Sequence, residues 1–537
     1  MAATGAGKTM DKEKKYDRQL RLWGDHGQAA LEASRVCLVN VTATGTETLK
    51  NLILPGIGWF TIIDGGKVTG EDVGNNFFLE RDSIGKSRAE VATECLLELN
   101  SDVRGDFIDE NPEHLLEANP EFFRSFSCVI AAQMPERTLL SLASVLWNYG
   151  IPLLVCRSYG LIGYMRVVVK EHTVIESHPD NAHSDLRLDR PFPALAAYVD
   201  AVDMDSLSKK DHSHTPFPVI LLKNLIQWRK EHEGNMPKNY KEKGVFKEMV
   251  RKGMWENEEG PGEPEENFEE AIRHTNTALV PTRIPSEIQT LFEDEGCRNL
   301  NAESSDFFVM TKALKEFAEN EGKGALPVRG AIPDMFADSE RYIQLQNIYR
   351  DQAKQDASVV ASRVTQILSS IGRPSHCISE EAIRLFCRNA AFLRVVRTRS
   401  LEEEYNPEKA CVNEMGVQLE NPDSEITLYI MLRAVDKFQQ QYGRYPGYYD
   451  DQVEADIPKL KACMCGLLQE WSLSPYIKDE YVHEMCRYGG SELHSVAAFM
   501  GGAAAQEVIK LVTKQFVPFN NTYIYNAMNS SSATYTL

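Results

Sequence analysis

A short apolar run, VCLVNV at 36–41, gives way to helical spacing and then to a second apolar run, WFTIID, that ends on Asp64. The first run is rich in β-branched residues and reads as a strand buried on both faces. Leu49, Leu52 and Ile53 then fall on one helical face, and Pro55-Gly56 stops the helix. Strand, tight turn, helix and strand in this order form the opening βαβ unit of a dinucleotide-type fold.

The turn between the first strand and the helix lacks two of its expected glycines. A phosphate-binding turn carries Gly at three places, G-x-G-x-x-G. Counted back from Gly45, those places hold Asn40, Thr42 and Gly45. The first two glycines permit a tight turn and close approach of a phosphate to backbone N–H groups. Asn and Thr side chains crowd that approach. Gly45 can still serve the third role, close helix–strand packing. Asp64 follows Gly45 by 19 residues, where a ribose-binding acid is expected, although a loop acid at a strand end fits as well. The frame is intact and the phosphate cradle is not, so productive nucleotide binding here is not expected.

A chain of 537 residues with 43% hydrophobic and 25% charged residues is long enough for two or three globular domains. The net charge of −20 argues against a nucleic-acid partner, which needs a basic face. No run of about 18 apolar residues marks a membrane span, and MAATGAGKTMDKEKK lacks the apolar core of a signal peptide. GAGKT is too short for a phosphate loop and reads as part of a disordered tail over 1–13. Eleven scattered cysteines imply reduced thiols in a cytosolic or nuclear protein. None is spaced for structural zinc, so no metal is expected in this chain.

Taken in order, 14–34 reads as two helices broken at Gly24, with Arg18 and Arg21 on the first. Ser87 is a candidate cap for a helix to Asn100. CVIAAQ (128–133) is a strand, Pro135 opens a helix to Tyr149, and PLLVCRS continues the sheet. YGLIGYMRVVVK (159–170) reads as strands with glycine breaks and suggests that the sheet turns antiparallel or that the chain leaves the domain. The expected fold class is therefore α/β with a mostly parallel sheet. Beyond about 171 helical periodicity dominates. Thr215-Pro216 reads as a capping pair, and 256–270, with eight acids and no Lys or Arg, as a mobile loop. LPVRGAIPDM (326–335) is a stiff loop before a long helix whose stripe of Tyr342, Leu345, Ile348 and Tyr349 is core. SVAAFMGGAAAQEVIKLVTKQF is a small-residue helix that can pack closely, and FVPFNNTYIYNAM reads as a hairpin about Asn520-Asn521. These last elements complete the first domain. The expected organisation is thus 14–171 and 487–537 as one domain, with 172–486 a large helical insertion.

KYDRQLRLWG, LKNLILPGIGWFTIID, NNFFLERDSIGKSRAE, SYGLIGYMRVVV, LPVRGAIPDM and ELHSVAAFMGGAAAQEVIKLVTKQF together resemble the ubiquitin-activating-enzyme superfamily. The resemblance spans nearly the whole chain. Length and insertion match best the regulatory subunits of heterodimeric neddylation-activating enzymes. It implies a Rossmann-like, ThiF-type pseudo-adenylation domain. Catalytic members carry the full glycine turn, where this chain has Asn40 and Thr42. They carry a second acid two residues past the ribose acid, where this chain has Gly66, and an Arg in the next loop, where it has Asn75 beside Asn76. No cysteine lies in the family's thioester context.

The resemblance further implies that this chain binds no cofactor and has no catalytic residue acting in cis. A partner catalytic subunit would hold ATP and Mg²⁺, with structural zinc. It would adenylate the C-terminal glycine of a ubiquitin-like modifier and take it as a thioester before transfer to a conjugating enzyme. Arg18, in the YDRQL stretch, would reach the partner's ATP phosphates in trans; a surface salt bridge is the alternative. The partner interface would include Asp334, Met335, Phe336, Ala337, Asp338, Ser339, Glu340, Arg341, Tyr342, Ile343, Gln344, Leu345, Gln346 and Asn347. His214 is a further interface candidate, or else a satisfied histidine at a helix start. The cytoplasmic tail of amyloid precursor protein is an implied further partner, and the implied location is cytoplasm and nucleus, with peripheral membrane association through such a tail. Two other activities compete: a self-sufficient adenylating enzyme, which needs Asn40, Thr42 and Asn75 to be tolerated, and a nicotinamide oxidoreductase, which the damaged turn opposes.

Overall fold

The computed structural model describes residues 4–180, 182–255, 264–475 and 477–537, with the side chains of 4–13 excepted. It divides into two compact units, one of 1–174 with 395–537 and one of 175–394.

The first unit is built on an eight-stranded sheet. Its strands are β1 (Arg35–Val39), β2 (Trp59–Ile63), β3 (Arg104–Ile108), β4 (Cys128–Ala132), β5 (Leu153–Tyr159) and β6 (Ile162–Val168). A short β7 (His172–Val174) pairs with β8 (Arg394–Val396) in a separate ladder, and β9 (Thr522–Asn526) and β10 (Ser531–Tyr535) complete the main sheet. The spatial order is β10-β9-β6-β5-β4-β1-β2-β3. Pairing is parallel from β3 through β5, with Val36 opposite Phe60 and Cys128, and antiparallel from β5 to β10. β1, β4, β5 and β6 are buried along almost their whole length, as runs without polar alternation should be.

Two helices set the site. Helix α1 (Thr4–Ala33) is broken at Gly24, whose φ of 67° interrupts the spiral. Helix α2 (Ala43–Ile53) follows β1 and buries Leu49, Leu52 and Ile53 against it. The Ala/Gly-rich helix His494–Thr513 lies against α2, with Gly501 so near Glu47 and Thr48 that a Cβ would sit 2.6 Å from the Glu47 Cβ. It is apolar and long enough to cross a membrane by length and composition, yet Val496, Met500, Ala504 and Val508 are buried in the core of this unit.

Several expectations change. The tail expected over 1–13 is helical from Thr4, because α1 begins there. The insertion ends near 394 rather than 486. Helices Ile426–Tyr442, Val453–Glu470 and Asp479–Tyr488 bury Tyr429, Phe438, Leu467 and Met485 in one core with β4, β5 and β6, so they belong to the sheet-bearing unit. The terminal hairpin turns at 527–530, and Asn520-Asn521 precedes its first strand. The helix capped by Ser87 ends at Leu97, before Asn100.

The second unit is helical. Phe217, Leu221, Leu225, Trp228, Phe246, Phe268 and Tyr349 form its core. Thr215 is not a cap: Pro216 holds the N-cap position of helix Phe217–Glu231, and the Thr215 hydroxyl donates to the Asp211 carbonyl at 2.9 Å. Of the acidic stretch 256–270, residues 256–263 lie outside the described residues. From Glu266 on the stretch is not a loop, since Glu266 opens a helix to Ala278. Helix Ser339–Ser370 starts at an Asp338 cap and buries Leu345 and Tyr349, with Tyr342 and Ile348 half-buried, as its stripe predicted.

Candidate functional site

The turn after β1 keeps the shape of a phosphate loop and fills it with its own atoms. Asn40 adopts φ 72°, the left-handed conformation of the first glycine that Asn tolerates better than most residues. Its Nδ2 donates to the Ala132 carbonyl at 2.9 Å, which ties β1 to β4. Thr42 caps α2 by accepting the Gly45 N–H at 3.0 Å. A Cβ on Gly45 would stand 2.9 Å from Leu38 Cδ1, so glycine is required there for helix–strand packing.

The next two N–H groups of α2 are taken by Glu492, which is 8% exposed. Ala43 N–H donates to Glu492 Oε2 at 2.8 Å, and Thr44 N–H to Oε1 at 3.2 Å. The hydroxyls of Thr44 and Ser158 donate to the same carboxylate at 2.7 and 3.0 Å. A helix N-terminus offers unpaired N–H groups and positive potential to an anion. Here that anion is a side chain of the same chain. Residue identities near the turn could not reveal this, because Glu492 is 449 positions from Ala43.

Asp64 is equally committed. It is 2% exposed, and its oxygens accept from Val41 N–H at 2.8 Å and Gly66 N–H at 2.6 Å. Arg88 donates to it at 3.0 Å and to Asp72 at 3.2 Å. The same guanidinium lies 2.5 Å from where a Cβ on Gly66 would stand, so it covers the place of the second acid. Burial opposes the Arg88 charge, but Asp64 and Asp72 outweigh it and hold its pKa above the ordinary arginine value. Asn76 is buried, accepts from Thr46 Oγ1 at 3.1 Å, and leaves its Nδ2 without a partner; Asn75 ends a short helix beside it. A cavity of about 350 Å³ remains, lined by Asn40, Asp64, Arg88, Asn111 and Thr138. Glu113 also lines it, and Asp64 already accepts from two backbone N–H groups and a guanidinium.

Arg18 stands in contrast. Its neighbours in sequence fix the helix: Tyr16 is buried and donates to Asp102 at 2.9 Å, and Gln19 donates to the Pro55 carbonyl at 2.7 Å. Arg21 pairs with Asp17 at 3.0 Å. Arg18 is exposed and, among the described residues, makes no ion pair or hydrogen bond.

In the helical unit, His214 and the 334–347 segment come together. The His214 and Phe336 rings are 5.3 Å apart, Asp338 N–H donates to the His214 carbonyl at 3.4 Å, and Arg341 pairs with Asp211 at 3.3 Å. His214 Nδ1 lies 2.8 Å from the Lys210 carbonyl, so the histidine is also satisfied locally, at the end of a short helix rather than the start of one. Phe336 and Ile343 remain 43% and 53% exposed.

A ThiF family profile matches residues 16–536. The chain is 60% identical to a NEDD8-activating enzyme E1 regulatory subunit of Xenopus laevis over 98% of this chain and 99% of that one. It is 46% identical to the Drosophila melanogaster regulatory subunit over 98% and 97%, and 43% identical to the Arabidopsis thaliana subunit AXR1 over 97% and 96%. The chain belongs to the ThiF family, among the NEDD8-activating enzyme E1 regulatory subunits.

A cysteine that takes an acyl group as a thioester reacts as its thiolate. Burial raises the thiols of Cys128, Cys156, Cys387 and Cys486 to about 12, the wrong direction for that role, while Cys377 and Cys465 are exposed. No cluster of metal-ligating side chains occurs among the described residues of this family member.

Proposed function

We propose that this chain is the non-catalytic half of a heterodimeric NEDD8-activating enzyme and performs no adenylation of its own. The observation that carries this reading is the Glu492 carboxylate at the N-terminus of α2. A bound triphosphate would have to displace an internal, fully hydrogen-bonded anion and would meet like charge. Asp64 could accept a ribose hydroxyl only by giving up backbone donors or Arg88.

In this reading the catalytic subunit binds ATP and Mg²⁺, adenylates the modifier's C-terminal glycine and forms the thioester. Arg18 supplies a guanidinium in trans to the partner-bound phosphates. Its exposure, with no ion pair or hydrogen bond among the described residues, supports that role, since a planar fork of donors suits phosphate oxygens. The 334–347 segment, with exposed Phe336 and Ile343, supplies part of the contact with the catalytic subunit.

Modifier-dependent ATP–pyrophosphate exchange tests the proposal, with this chain alone, the catalytic subunit alone, and both. Exchange mainly in the mixture is expected. Exchange by this chain alone would make it an enzyme in its own right.

A further inference from the structure

The helical unit carries a charged feature beside the proposed partner segment, whose Gln346 lines it. A cavity of about 330 Å³ opens beside the stiff loop at 328–332. Gly330, Ala353 and Ala357 form part of its wall, and Arg329, Arg350, Lys354, Arg384 and Arg388 surround it with no acid among the lining residues. Five cations gathered in a chain of net charge −20 run against its composition.

These cations are poorly answered by the protein. Lys354 and Arg384 pair with Asp351 at 3.1 Å and Glu380 at 2.9 Å, exposed contacts that hold a cation weakly. Arg350 and Arg388 are exposed and, among the described residues, make no ion pair or hydrogen bond. Arg329 lies over the Phe392 ring at 4.8 Å, and its Nε is buried without a hydrogen-bond partner. Burial, and then the neighbouring Arg388 guanidinium, hold the Arg329 pKa below the ordinary arginine value. The nearest acids are shared with other donors: Asp185 accepts from Arg187 at 2.5 Å and from Arg329 N–H at 3.2 Å, and its charge offsets part of the shift on Arg329, while Asp356 accepts from Val328 N–H at 2.9 Å.

We propose that this cavity binds a compact polyanion carrying phosphate groups, with Arg329, Arg350 and Arg388 as its main donors. Guanidinium forks match the geometry of phosphate oxygens and form charge-assisted hydrogen bonds to them. Several uncompensated cations around a small cavity call for more than the single charge of one carboxylate. The site lies wholly in the helical unit, and its ligand binding does not depend on whether the α2 region binds nucleotide.

The test is a calorimetric titration of the full chain with inorganic tripolyphosphate. Saturable one-to-one binding is expected, weakening as salt rises. Arg350→Ala and Arg388→Ala should each weaken it on the order of tenfold. Arg251→Ala, on an exposed helix position outside the cavity, should leave it unchanged. No saturable binding, or binding that neither cavity variant weakens, would overturn the proposal. So would equal affinity for a peptide of six aspartates, which would assign the cavity to acidic peptides instead.

Discussion

The N-terminus of α2 and the exposed face of α1 lie in the same unit and treat charge in opposite ways. At α2 every early N–H group has an internal acceptor: Thr42 for Gly45, and Glu492 for Ala43 and Thr44. On α1, Arg18 has none among the described residues, although Tyr16 and Gln19 beside it are anchored. A buried polar group left unpaired costs roughly 1–3 kcal/mol, so a buried helix end without a ligand gains by satisfying its donors internally. An exposed guanidinium carries no such cost and can be kept for a second chain. The proposed division of labour rests on this contrast: a helix end closed by the chain's own carboxylate, and an exposed guanidinium that the proposal offers to a second chain.

The largest effect should come from the open side. Arg18→Ala should slow modifier adenylation by the assembled pair on the order of 10²–10³-fold, the scale for losing one charge-stabilising donor. Size-exclusion chromatography should show the dimer intact. An unchanged rate in an intact dimer would reduce Arg18 to a surface residue.

The closed side should answer in stability instead. Asp64→Ala strands two backbone N–H groups and removes a partner of Arg88, and should lower unfolding free energy by about 2–4 kcal/mol in urea titration. Glu492→Ala leaves three α2-region donors without their carboxylate and should cost about 1–3 kcal/mol. If the carboxylate closes the anion position, the same variant should also gain measurable affinity for pyrophosphate. Thr42→Ala removes only the helix cap and should cost about 1 kcal/mol, with no change in the exchange rate of the pair.

The sequence revealed what is local. The βαβ unit, the missing glycines at Asn40 and Thr42, the break at Gly24 and the turn to antiparallel pairing after β5 all follow from short-range pattern, and the structure bears them out. It concealed what is distant. Glu492 approaches α2 across most of the chain's length, and no spacing rule pairs it with Ala43. The helices of 426–488 read as part of the insertion because helical periodicity does not say which core a helix joins; Tyr429 and Phe438 join the sheet. Arg329, Arg350 and Arg388 were equally invisible as a group, since three separate segments bring them to one cavity.

The most direct test of the closed nucleotide position is a titration of Mg-ATP into the isolated full chain, followed by calorimetry. The account predicts no saturable binding for the wild-type chain at the α2 site, and no change on adding the modifier. Saturable binding that Asp64→Ala abolishes would contradict it, because the site would then accept nucleotide despite Glu492.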